Sequence, residues 1–140
     1  MKYAVSACLM GVNCKYDGGN NLNKKLQVFL KDKDYILICP EVAGGMSVPR
    51  IPCEIKNGVV TNKHGQDMSE YFNKGARKEL QKIKKHNVDI VILQPRSPSC
   101  GIGQIYDGSF TKTLIHKNGV FAQMCINEKI RVLTPDDVIY

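Results

Sequence analysis

At 140 residues the chain has the length of one domain, and halving it would leave each part short of a core, so a single domain over residues 1–140 is expected. Hydrophobic residues at 43% and charged residues at 24% exclude a disordered chain, and no apolar run approaches the roughly 18 residues of a membrane span. Twenty basic against thirteen acidic residues give +7, a balance that favours anionic partners from nucleotides to nucleic acid.

Tyr3-Ala4-Val5-Ser6-Ala7 is short and apolar and runs into Cys8-Leu9-Met10-Gly11, the pattern of a buried strand ending in a loop. Residues 14–21 are dense in turn formers. Leu22, Leu26, Phe29 and Leu30 then recur at helical spacing, with Asn20 or Asn21 able to cap. A second apolar strand, Tyr35-Ile36-Leu37-Ile38, stops at Cys39-Pro40-Glu41. Strand, helix, strand in so short a span is a βαβ unit, which implies a parallel pair.

A long irregular stretch follows from Val42 to Gln66, with a small hairpin predicted at Asn57-Gly58. Connections of this length are usually functional. Asp67-Met68-Ser69-Glu70 fits a capping box and opens the clearest helix, whose stripe is Met68, Tyr71, Phe72, Ala76, Leu80 and Ile83, with Asn87 as its stop. Its lysines, from Lys74 to Lys85, are expected on a solvated face. Val88 to Leu93 predicts a third strand, apolar on both faces. After a second long loop, Gln94 to Lys117, Asn118 is expected to cap a last helix bearing Val120, Phe121, Met124 and Cys125 inward, and Ile130-Arg131-Val132-Leu133 predicts a fourth strand. The fold class is therefore α/β: a Rossmann-like domain with a mostly parallel sheet of about four strands, flanking helices, and long functional loops at the strands' C-terminal edge.

Six cysteines in a chain with no signal-peptide core after Met1-Lys2-Tyr3 point to a reducing cytoplasm and to metal or catalytic thiols. In an open parallel sheet ligands bind beyond the carboxyl ends of the strands. Cys8 and Cys39 directly follow the first two strands, and Cys100 lies in the loop leaving the third, so neighbouring strands would bring all three together. There is no C-x2-C pair, which disfavours a zinc ribbon or finger. Three thiolates with one open position suit catalytic zinc or an iron–sulfur cluster with one iron not bound by protein.

Ser6-Ala7-Cys8-Leu9-Met10-Gly11, Tyr16-Asp17-Gly18-Gly19, Cys39-Pro40-Glu41-Val42-Ala43-Gly44-Gly45, Val48-Pro49-Arg50, Arg96-Ser97-Pro98-Ser99-Cys100-Gly101 and Tyr106-Asp107-Gly108-Ser109-Phe110 together resemble the thiouracil desulfidase (TudS) family in its short, single-domain form. The match runs in order through nearly the whole chain. The resemblance implies a [4Fe–4S] cluster held by Cys8, Cys39 and Cys100 with one open iron. It also implies non-redox desulfuration of a thiolated pyrimidine, thiouracil or a thiouridine nucleotide, to the oxo form with release of sulfide.

Such chemistry needs a base for water and protons for the departing sulfur. Glu41, two residues past a ligand, is the expected general acid/base. Ser97 and Ser99 are the hydroxyl candidates, with Ser97 favoured. Arg50, Arg96, Ser109 and Lys112 are candidates for holding a phosphate, and Tyr16 and Tyr106 for stacking on the ring. Cys14, Cys53 and Cys125 are expected not to be ligands, and His64, His86 and His116 share no motif. The competing reading is a cluster- or zinc-containing RNA-binding or sulfur-trafficking protein without hydrolytic turnover. No RNA-recognition motif supports it.

Overall fold

In the computed structural model, which describes every residue from Met1 to Tyr140, the strands are β1 (Lys2–Ser6), β2 (Asp34–Ile38), β3 (Cys53–Lys56), β4 (Val59–Asn62), β5 (Ile90–Ile92), β6 (Ile105–Tyr106), β7 (Leu114–Ile115) and β8 (Arg131–Leu133). The helices are α1 (Lys24–Leu30), α2 (Pro40–Ala43), α3 (Ser69–Lys85) and α4 (Val120–Asn127). No helix is long and apolar enough to cross a membrane.

The main sheet has the order β2-β1-β5-β8, and every pairing in it is parallel. This is the α/β sheet expected from the alternation of apolar segments. Successive residues of a strand face opposite sides, and the two cores follow that rule. Ala4 and Val91 pack with Ala76, Leu80 and Ile83 of α3 and Phe121 and Cys125 of α4. Tyr3, Val5, Ile90 and Ile92 pack on the other side with Leu26 and Leu30 of α1. The chain leaves β1 towards β2 on one flank and returns through β5 to β8 on the other. The crevice between the carboxyl ends of β1 and β5 is therefore the switch point where such folds bind ligands.

Local chemistry differs from expectation at three helix starts. Asn23, not Asn20 or Asn21, caps α1 by accepting the Leu26 N–H at 3.0 Å. Asn20 instead accepts the Leu22 N–H, and the Asn21 N–H is bound by the Cys8 carbonyl. The capping box before α3 does not close: Asp67 accepts the Ser69 N–H, while Ser69 Oγ accepts the Val60 N–H from the hairpin. Gly119 rather than Asn118 precedes α4, because Asn118 turns its side chain to the Gly103 N–H and to Gln123.

The hairpin at Asn57-Gly58 forms as expected, both residues adopting positive φ between β3 and β4. Two elements were not legible. Pro40–Ala43 makes one helical turn with Pro at its first position, and β6 and β7 pair as a two-residue ladder inside the loop after β5. Neither is long enough to show a period. The lysines of α3 do lie on its solvated face; Lys82 donates to the Leu37 carbonyl and Lys84 pairs with Glu128.

α2 and α3 meet backbone to backbone. A Cβ on Gly75 would stand 1.7 Å from the Pro40 carbonyl oxygen, and one on Gly44 would stand 2.1 Å from that of Tyr71. One helix turn further along α3, the buried carboxylate of Glu79 accepts the Cys39 N–H at 2.9 Å. A long helix thus fixes the short turn that carries Cys39 and Glu41.

Candidate active site

Three of the main-sheet strands deliver a cysteine to the carboxyl edge. After β1 the chain makes a 3-10 turn over Ala7–Met10 that lifts Cys8 above the sheet, closed by Gly11 at φ 89°. Cys39 directly follows β2 and stands at the N-cap of α2. Beyond β5, Ser97 Oγ accepts the Cys100 N–H at 2.7 Å and the Ser97 carbonyl accepts the Gly101 N–H, so residues 97–101 coil into a tight turn. Ser6 Oγ accepts the Gln94 N–H at 2.9 Å and ties the loops after β1 and β5 together. Cys8, Cys39 and Cys100 all line one cavity of about 450 Å³, and Cys14 lines it with them.

The thiols are free and fall into two environments. The neighbouring Cys14 thiol is the main reason that both Cys8 and Cys39 sit below the ordinary cysteine value, Cys39 at about 7. The Asn21 side chain adds to the effect at Cys8 and the Val42 N–H at Cys39. Cys14 is itself pushed up by the same two neighbours. Cys100 is pushed up by burial, against hydrogen bonds from the Ser99 and Ser6 hydroxyls. No three His, Cys, Asp and Glu side chains are gathered around a single point as a mononuclear metal site would gather them. Thiols spread over the walls of a cavity, with the Ser99 hydroxyl at the Cys100 sulfur, fit a polynuclear iron–sulfur centre.

Glu41 leans over the same cavity. Its Oε1 accepts Arg50 Nε at 3.0 Å and its Oε2 accepts the Ser99 hydroxyl at 2.8 Å. Ser99 is buried, with its Oγ also 3.6 Å from Cys100 Sγ and 3.3 Å from Ser97 Oγ. Ser99 is therefore the hydroxyl held on the carboxylate, while Ser97, the one favoured on sequence, holds the Cys100 amide. Arg50 is not a free cation. Beside Glu41 it donates to the Ser47 and Cys14 carbonyls, and its own N–H is bound by the Tyr16 carbonyl.

The mouth of the cavity is aromatic and basic: Tyr16, Tyr106 and Phe110 line it with Lys15, Lys63, Arg96 and Lys112. Arg96, Phe110 and Lys112 hold left-handed backbone, at φ 68°, 57° and 61°. Three such non-glycine residues around one opening mark a segment whose shape is imposed by its surroundings. Glu54 supplies part of that constraint, accepting the Gly108 and Phe110 N–H groups at 3.0 and 3.1 Å. Ser109, expected at the substrate, lies outside the cavity with its hydroxyl on Asp107 and Thr111.

Cys53 lines the cavity and burial pushes it up to about 11, whereas Cys125 lies in the core at about 12 for the same reason. None of the three histidines reaches the cavity. Sequence reasoning missed Cys14, Glu54, Glu79 and Phe110. Cys14 carried a signal in its place six residues after Cys8 in a loop rich in turn formers, and Phe110 in closing the motif Tyr106-Asp107-Gly108-Ser109-Phe110.

The family model described as 2-thiouracil desulfurase matches residues 4–137. The chain belongs to that family. A curated relative, the uncharacterized protein YbbK of Bacillus subtilis (strain 168), is 35% identical over 144 residues, spanning 96% of this chain and 95% of its own. A solved structure described as the [4Fe-4S]-dependent thiouracil desulfidase TudS superimposes with a TM-score of 0.92 at 32% identity, covering 98% of this chain and 92% of that one. The resemblance carried by the motifs and the α/β architecture expected of them are both met in this member of the 2-thiouracil desulfurase family.

Proposed function

We propose that the protein is a [4Fe–4S]-dependent desulfidase that converts a thiolated pyrimidine to its oxo form, the thiocarbonyl and one water giving the carbonyl and one hydrogen sulfide. The observation that carries this reading is one cavity at the β1/β5 switch point lined both by Cys8, Cys39 and Cys100 and by the hydrogen-bonded pair Glu41–Ser99. Those three cysteines would hold the cluster. When bound it supplies a Lewis-acidic iron without a protein ligand, which attracts a soft thiocarbonyl sulfur and leaves the ring carbon open to water.

The rest of the work belongs to side chains. Glu41 is the general base for the attacking water. The Ser99 hydroxyl, between Glu41 Oε2 and Cys100 Sγ, is placed to pass a proton towards the departing sulfur. Arg50 keeps the carboxylate aimed by holding its other oxygen. The aromatic side chains at the mouth would bracket a planar ring. Lys63, Arg96 and Lys112 stand beside them without ion-pair partners, which favours a substrate that carries a phosphate over a free base.

The test is anaerobic reconstitution with iron and sulfide, followed by thiobase absorbance and released sulfide for thiouracil, thiouridine and thiouridine monophosphate. Sulfide release, with the highest kcat/KM for the monophosphate, is expected. A protein with a full cluster that releases no sulfide from any of the three overturns the reaction. Iron and acid-labile sulfide should be lost on Cys8→Ser, Cys39→Ser and Cys100→Ser, and retained on Cys125→Ser.

A further inference from the structure

Part of the cavity mouth is built by two small hairpins. β3 contributes Cys53 and Glu54, while β6 and the segment after it contribute Tyr106, Phe110 and Lys112. Residues 107–113 are stitched within themselves. The Asp107 N–H donates to the Thr113 carbonyl at 2.9 Å, and the Asp107 carboxylate accepts the Ser109 N–H and hydroxyl. The hydroxyls of Ser109, Thr111 and Thr113 follow one another in hydrogen-bond contact. Only two hydrogen bonds leave the segment, and both end on Glu54 Oε1: the Gly108 N–H at 3.0 Å and the Phe110 N–H at 3.1 Å.

The segment depends on that hold. Phe110 and Lys112 have left-handed backbone at φ 57° and 61°, which a bulky residue adopts only where its surroundings impose it. Gly108, at φ 95°, lies so close on β3 that a Cβ would overlap that of Lys56. The two amides bound by Glu54 stand on either side of Ser109, so one oxygen grips the turn near its tip. Glu54 forms no ion pair, and its Oε2 has no hydrogen-bond partner in the protein. What it gives the segment is an accepting oxygen, not a counter-charge.

We propose that Glu54 is a positioning residue for the substrate: by clasping the Gly108 and Phe110 amides to β3 it sets Phe110 and Lys112 at the cavity mouth, where they bind the ring and the phosphate of a thiopyrimidine nucleotide. This deepens the desulfidase reading and rests on it. A segment already fixed in its binding shape does not have to be ordered when substrate arrives, so the clasp acts on affinity. The proton transfers belong to Glu41 and Ser99, which Glu54 does not touch. Loss of the clasp therefore raises KM and leaves kcat in place.

The experiment compares reconstituted wild type, Glu54→Ala and Glu54→Gln. Iron and acid-labile sulfide content should be the same in all three. With thiouridine monophosphate, Glu54→Ala should raise KM about tenfold at nearly constant kcat, the effect of losing about 1.4 kcal/mol of binding. Free thiouracil, which has no phosphate for Lys112, should be less affected. Glu54→Gln keeps an accepting oxygen and should restore KM. A second measurement needs no substrate. Lys112 is exposed, and trypsin cleavage after it, followed by mass spectrometry, should be faster in Glu54→Ala and return to the wild-type rate in Glu54→Gln. Unchanged KM and cleavage in Glu54→Ala overturn the inference. So does a Gln variant that behaves like Ala, which would make the charge the active feature, and so does a fall in kcat at constant KM. Wild-type protein with a full cluster and no turnover overturns the desulfidase reading and the substrate role with it, whatever the cleavage rates.

Discussion

The Ser99 hydroxyl donates to Glu41 at 2.8 Å across 58 residues of sequence, while Arg50 holds the opposite oxygen of the same carboxylate at 3.0 Å. The carboxylate is thereby fixed between a cation and a proton carrier, directly above the thiols. Glu41→Gln preserves the shape of this contact and removes the base. Sulfide release should fall by about 100- to 10,000-fold, the usual contribution of general acid–base catalysis, with cluster content unchanged. Ser99→Ala should give a smaller loss in kcat. An active Glu41→Gln variant would remove Glu41 from the chemistry.

Arg50 and Glu41 form a buried ion pair, their side chains 6% and 14% exposed. Arg50→Met takes away one charge and leaves Glu41, together with the Cys14 and Ser47 carbonyls, without its donor. Breaking one side of a buried pair costs about 3–5 kcal/mol, which urea unfolding of the cluster-free protein should register. A variant as stable as wild type would show that the carboxylate finds other partners.

Gly75→Ala places a methyl group against the Pro40 carbonyl, where no flexible side chain can yield. Overpacking of this kind costs about 1–3 kcal/mol, and here it also pushes on the turn that carries Cys39 and Glu41. Lower thermal stability should come with weaker cluster retention, read as iron content after gel filtration. Ala76, on the same helix, faces the core, so Ala76→Gly should lower stability without displacing that turn.

Asp67 sits below the ordinary carboxyl value because it accepts hydrogen bonds from the Ser69 N–H and hydroxyl. A carboxyl lowered by folding stabilises the native state above its unfolded value, near 3.8, and that contribution fades as pH falls through the folded value. Asp67→Ala should therefore be less stable than wild type at neutral pH. The difference should shrink as acid is added in paired thermal melts, and a gap constant with pH would count against a stabilising contact between Asp67 and Ser69.

The parallel sheet was legible because β1, β2 and β5 are apolar on both faces, a pattern that no amphipathic surface element imitates. From their order alone came the meeting of Cys8, Cys39 and Cys100 at one edge. The residues that fix the details were not legible, because each acts through a contact distant in sequence. Glu79 looks like one more solvated charge on a lysine-rich helix until it is seen buried against the Cys39 amide. Arg50 looks like a phosphate-binding cation until its guanidinium is found on Glu41 and two carbonyls. Ser97 and Ser99 share a motif, and only the coil of residues 97–101 separates their tasks.

The position of Cys100 sets an order of events during biosynthesis. Cys8 and Cys39 come from the first βαβ unit, but the third sulfur arrives on a loop anchored by β5, which pairs with β1 only after α3 has been made. A growing polypeptide emerging from the ribosome therefore offers an incomplete grip for most of its synthesis. With the proposed ligand set of Cys8, Cys39 and Cys100, all three sulfurs stand at one edge only once β1 has paired with both β2 and β5.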